Sequence, residues 1–168
     1  MGRIFEPAMT PTSSAPETQG MVYTTGQTFL KGAILVFDGG NIGQVIEGTS
    51  PNPAAIVGVA LDAPGSHPGF ALNFDAAVVA RTGTTQQVGV AKANRLTVFS
   101  GRMVNGGTDP VTPAQTDIGI AYELLKTGAG EWVVNQAATT NTKVRIVDID
   151  VASKIVFFRF LEANLAQP

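Results

Sequence analysis

The residues best suited to chemistry are two carboxylates, one histidine, a run of glycines and three large aromatics. Asp148 and Asp150 in "VDIDV" stand two apart, so on a strand they share one face. Paired carboxylates can serve glycoside hydrolysis or bind Ca²⁺. No companion acids stand at ligand spacing, and a strand is too rigid for a Ca²⁺ loop. The two aspartates therefore read as charge on an edge or rim, guarding against mispairing, with Arg145 and Arg159 as salt partners. His67 lies between Ser66 and Pro68. A catalytic triad needs a histidine facing a nucleophile and an orienting acid, which sequence neighbours do not provide. A single histidine cannot build a His-based zinc site either, so His67 reads as an exposed loop residue.

Gly39, Gly40 and Gly43 in "VFDGGNIGQVIE" raise the question of a nucleotide cradle. A dinucleotide fingerprint needs G-x-G-x-x-G between a strand and a helix, and a P-loop needs a following Gly-Lys-Ser/Thr. Neither is present. Asp-Gly-Gly-Asn between two apolar runs is instead a hairpin signal, because Gly and Asn tolerate the positive φ of tight turns. Trp132, Tyr23 and Tyr122 are candidates for a sugar-stacking platform. A tryptophan beside Val133 and Val134 reads more simply as core or interface packing. The expectation is a protein that is not an enzyme and carries no cofactor and no metal.

Composition points the same way. Only 14% of the 168 residues are charged, against about 25% in ordinary domains. A surface of Thr, Ser, Asn, Gln, Ala and Gly can be covered by other protein at low desolvation cost, as interface cores are. The net charge of −2 predicts no nucleic-acid partner and no anionic membrane partner. No apolar run reaches the length of a membrane span. "MGRIFEPAMTPTSSAP" has no uninterrupted apolar region, so no secretory signal is expected. Cysteine is absent, which excludes disulfides and thiol chemistry.

The elements that must position these residues read as β throughout. The expected strands are 29–37, 42–47, 54–62, 70–82, 86–92, 95–101, 118–126, 131–136, 142–151 and 154–162. Short strands broken by Gly, Pro, Asn and Asp at this spacing indicate a barrel or sandwich. No segment reads as a long helix. In the last strand both alternating sets are apolar, Ile155, Phe157 and Leu161 against Val156, Phe158 and Phe160. Such a strand is central in the core or has one face on a subunit interface. Trp132, Phe158 and Phe160 are therefore candidate interface residues. The polar stretch 105–117 is a long loop or a sub-domain break within a β-domain spanning 21–168.

Residues 1–20 carry Pro7, Pro11 and Pro16 in a Thr/Ser-rich segment with no period, which reads as an extended arm. Ordering it costs about 1–2 kcal/mol per residue, so something must hold it. Ile4, Phe5 and Met9 are its apolar anchors, expected to dock on a neighbouring subunit or partner.

Two blocks carry a resemblance. "GQTFLKGAILVFDGGNIGQVIEGTSPNPAAIVGVALDA" (26–63) resembles the strand–turn–strand unit of the small cement, or decoration, proteins of tailed-bacteriophage capsids. "DIGIAYELLKTGAGEWVVNQAATTNTKVRIVDID" with the following "FFRFL" (117–161) is similar to the C-terminal part of that family. Together the blocks cover about half of the chain. The resemblance implies an all-β antiparallel barrel or sandwich of β-tulip or jelly-roll type. It further implies a structural virion protein on the outer capsid surface, assembled in the host cytoplasm. Its partners would be the major capsid protein and itself, as a homotrimer or a dimer. It would clamp adjoining capsid subunits against internal DNA pressure, without cofactor or catalysis. The alternatives are another virion β-protein, such as a head-fibre base or tail adaptor, and a carbohydrate-binding β-sandwich. A glycosidase resting on Asp148 and Asp150 is a more distant alternative.

Overall fold

The computed structural model describes residues 5–9, 16–41, 43–64 and 87–166. His67, Ile4, the 70–82 strand and the side chain of Met9 lie outside the described residues. The described chain is all-β, with eleven strands and two short 3-10 turns. The strands are β1 (Glu6–Met9), β2 (Thr18–Tyr23), β3 (Ile34–Phe37), β4 (Gln44–Glu47), β5 (Ile56–Ala60) and β6 (Gln87–Lys92). They continue with β7 (Val98–Val104), β8 (Ala121–Lys126), β9 (Trp132–Asn135), β10 (Val144–Asp150) and β11 (Ile155–Phe160).

These strands close into two five-stranded barrels. The first runs β2-β4-β3-β5-β6, with β6 returning to β2. The second runs β7-β11-β10-β8-β9 and is closed by β7–β9 pairing, while β1 adds to the free half of β7. Both rings have one connectivity. In each, the first strand pairs parallel with the third and antiparallel with the fifth, and the remaining contacts are antiparallel.

Register follows the same duplication. Tyr23↔Val45 corresponds to Met103↔Val134, and Phe37↔Val45 to Leu124↔Val134. Leu35↔Gly58 corresponds to Tyr122↔Val144, and Ala60↔Val90 to Ile146↔Phe158. Gln19↔Val90 then corresponds to Phe99↔Phe158, which completes the circuit without a slip. The turns agree as well. Gly32 and Gly119 both precede the second strand with φ near +86° and +87°. Each donates its N–H to the fourth strand, to Ala60 O and Ile146 O at 2.8 and 2.9 Å. Only glycine adopts that φ without strain, which is why both positions hold it.

The barrels divide at 93–97, where Asn94 Oδ1 accepts from the N–H groups of Leu96 and Thr97, each at 2.8 Å. The stretch 105–117, expected as a loop or a sub-domain break, is the β7–β8 connection inside the second barrel. "DGGN" makes the β3–β4 hairpin, as its turn residues predict. Asp38 accepts from Gly40 N at 2.9 Å, Asn41 Nδ2 at 2.7 Å and Thr24 Oγ1 at 2.5 Å. Those donors, Asn41 first, hold its carboxyl below the usual range.

The N-terminal segment departs from expectation. Its composition predicts an arm to residue 20, yet β1 and the start of β2 are strands within it. Ladder pairing with β7 and β6 supplies what local propensity lacks.

Candidate functional site

The built features of this chain are packing sites. The first is the seat of the N-terminal strand. β1 lies antiparallel on β7, Glu6 opposite Ser100 and Pro7 opposite Phe99. Phe5 reaches into the mouth of the second barrel and is 1% exposed. Its ring meets Phe158 edge-on at 4.9 Å. Room exists because Gly101 has no side chain there: a Cβ would fall 2.4 Å from Phe5 Cδ1. Phe5, expected to anchor on a neighbouring subunit or partner, packs in this chain on its own second barrel. Glu6 also reaches Lys31 of the first barrel at 3.8 Å, an exposed pair that adds little. Met9 pairs with Val98 through the backbone.

Phe158 and Phe160 are corrected by the structure. Both point into the second barrel, where Phe158 is fully buried and Phe160 is 4% exposed. They pack edge-on with each other at 5.6 Å, and Phe160 packs on Phe99 at 5.1 Å. An apolar residue inside a closed ring has no surface left for a partner. The outward face of β11 is carried by Phe157 and Arg159, both half-buried.

Trp132 is the second packing site. It is 1% exposed and donates Nε1–H to Glu47 Oε1 at 2.9 Å. Glu47 Oε2 takes Lys126 Nζ at 2.7 Å. Lys126 N–H also reaches Ser50 Oγ at 2.8 Å. One carboxylate on β4 therefore ties β8 and β9 to the first barrel. On the far side, Ala166 N–H bonds Ile56 O at 2.8 Å, so the segment after β11 returns to the first barrel. Trp132 is an interface residue between the two barrels of one chain, which the sequence could not distinguish from a subunit interface. With Trp132 and Tyr122 buried, they present no stacking platform for a sugar.

A polar cluster that sequence reasoning missed surrounds Asp117. Its carboxylate accepts from Tyr122 Oη at 2.6 Å, Ala114 N at 2.8 Å and Gln136 Nε2 at 3.0 Å. Burial pushes the carboxyl up, but these donors outweigh it and leave Asp117 below the usual range. Burial and the adjoining carboxylate push the Tyr122 phenol up to about 12. A saturated carboxylate has no lone pair aimed at a substrate. The cluster holds the 3-10 turn Gln115–Asp117 against β8.

Asp148 and Asp150 do local work. Asp148 is exposed and sits at an irregularity of the β10–β11 ladder, with Oδ1 accepting from Ile149 N at 2.9 Å. Asp150 Oδ1 accepts from Ser153 N at 3.0 Å in the turn to β11. Arg145 donates to Gly119 O at 3.1 Å. Among the described residues no three His, Asp or Glu side chains are grouped to hold a metal ion. No family model, no curated protein and no solved structure matches the chain.

Proposed function

We propose that the chain is a structural virion protein that binds the outer surface of a phage capsid and cements neighbouring major capsid proteins against internal DNA pressure. The observation that carries this reading is the position of the two resembling blocks. The first covers β3–β5 and the second β8–β10 with most of β11, so both contain the same hairpin-plus-strand unit, β3–β5 in one barrel and β8–β10 in the other. Two rigid barrels tied by Glu47 make a body that can span a junction between subunits. The low-charge surface suits contacts made by shape. Several attachment points on one rigid body, or on a homotrimer or dimer of it, add avidity beyond any single contact.

Co-sedimentation with expanded heads of the phage that encodes the chain tests the reading, followed by cryo-electron microscopy of the decorated particle. The expected result is saturable binding and added density at one class of symmetry axis. Failure of the folded protein to bind such heads at micromolar concentration overturns it. The neighbouring reading, a head-fibre base or tail adaptor, predicts density only at a vertex or on the tail.

A further inference from the structure

The connection from β7 to β8 opens on Asn105–Gly106, the one Asn-Gly step in the chain. An asparagine followed by glycine can close a five-membered ring on its own main chain, because glycine puts no side chain in the way of the attacking nitrogen. The surroundings favour that ring. Asn105, Gly106 and Gly107 are all exposed. Among the described residues nothing hydrogen-bonds the Asn105 side chain, so its carboxamide is free to turn toward the Gly106 nitrogen.

One contact opposes the ring. Asn135 closes β9 and lies opposite Val104 in the β7–β9 pairing. Its Oδ1 accepts from Gly106 N at 2.9 Å and from Ala137 N at 3.2 Å. The Gly106 nitrogen attacks only after losing its proton, and that proton is the one Asn135 holds. The Asp38–Gly39 step has the same skeleton but a different fate. Its carboxylate is held by Thr24, Gly40 and Asn41, and an ionised carboxylate is a poor electrophile.

We propose that Asn105 is a site of spontaneous deamidation and that Asn135 sets its rate. Gly106 N loses its proton to solvent and bonds to Asn105 Cγ. The Cγ–Nδ2 bond breaks, and the amide leaves as ammonia with a proton from water. Water then opens the succinimide at either carbonyl. The products are aspartate and isoaspartate, the second with one more carbon in the main chain. Either adds a negative charge to the loop that carries exposed Asp109, on a chain of net charge −2. The loop is pinned behind the site, since Val104 bridges Pro110 and Val111 N bonds Met103 O at 3.0 Å. The change therefore stays in the loop and leaves the second barrel closed. Asn135 is a positioning residue in this scheme, and the inference is independent of the capsid reading.

The test incubates the full chain at mildly alkaline pH and releases Met103–Lys126 with trypsin, a peptide that holds no other asparagine. Mass spectrometry reads the amide-to-acid conversion, and chromatography separates aspartate from isoaspartate. In the folded wild type Asn105 should convert ahead of the other asparagines and give both products. Asn135→Ala should speed conversion about fivefold, the worth of one net hydrogen bond. Asn135→Asp keeps an acceptor and should stay at or below the wild-type rate. In concentrated urea the three chains should share one rate, and Trp132 emission confirms the fold of each without it. If Asn135→Ala does not fold, hydrogen exchange on the wild type decides: Gly106 N–H should exchange at least fivefold more slowly than Gly107 N–H. Three results overturn the proposal: no conversion at Asn105, equal rates in folded wild type and Asn135→Ala, or a Gly106 N–H that exchanges as fast as that of Gly107.

Discussion

Gly101 and Phe5 share one space: the ring occupies the volume that a side chain at 101 would fill, with Cδ1 2.4 Å and Cε1 2.5 Å from the site of the missing Cβ. Gly101→Ala should therefore drive Phe5 out and cost about 1–3 kcal/mol by overpacking. Phe5→Ala should cost about 3 kcal/mol by leaving a cavity beside Phe158. The two changes should not add, because the clash vanishes with the ring. Urea unfolding of the four members of the cycle measures this, and strict additivity would refute the shared-space account.

Truncation should discriminate between the two strands of the N-terminal segment. Removal of residues 1–9 leaves β2 whole and should lower stability by about 3–5 kcal/mol, the order of one large buried aromatic. Removal of residues 1–20 also takes Thr18–Gly20 out of the first barrel, where they pair with Ala91, Val90 and Gly89. That longer deletion should unfold the first barrel. Circular dichroism melts of both proteins check the contrast, which differs from what a β-domain beginning at residue 21 would imply.

Glu47 should matter more than an ordinary surface acid. Glu47→Ala leaves the buried Nε1–H of Trp132 without its acceptor and should cost about 1–3 kcal/mol. Glu47→Gln keeps an acceptor and should cost about 1 kcal/mol. The chain has one tryptophan, so its emission reports the change directly: a red shift in the Ala variant and little in the Gln variant.

The Asp117–Tyr122 contact predicts losses at both ends of the pH scale. Asp117 has a folded pKa below its unfolded value. Its contribution is present above the unfolded value near 3.9 and is lost as pH falls through the folded one. Tyr122 is shifted from 10.0 to about 12, so its proton is held more tightly in the folded state. Stability should fall as pH rises from 10 toward 12, where the unfolded phenol ionises first. Tyr122→Phe should remove the alkaline loss and a phenolate absorbance step near pH 12. Denaturant midpoints at pH 3, 7 and 11 test both limbs.

Legibility in the sequence tracked the range of the interaction. The Asp38 hairpin is local turn chemistry and could be read from four residues. The core strands could be read from alternation, Phe158 and Phe160 among them, but alternation does not say which neighbour covers a face. The strand β1 has no local signal, because its reason lies at Gly101 and Phe158. The buried role of Asp117 needed Gln136 and Tyr122 brought together by folding. The duplication was hidden because it conserves backbone pairing while residue types diverge, Met21 against Gly101 and Gln19 against Phe99. The glycines Gly32 and Gly119 were its visible trace.

The seating of Phe5 on Phe158 also sets an order of events in synthesis. The two rings lie at opposite ends of the sequence, so Phe5 cannot take its seat until β11 has emerged from the ribosome. The first barrel can close well before that moment. Through most of translation the arm is a loose end, and the last described strand to be made is the one that fastens one of the first. A chain released early, or halted before β11, would carry its arm unfastened.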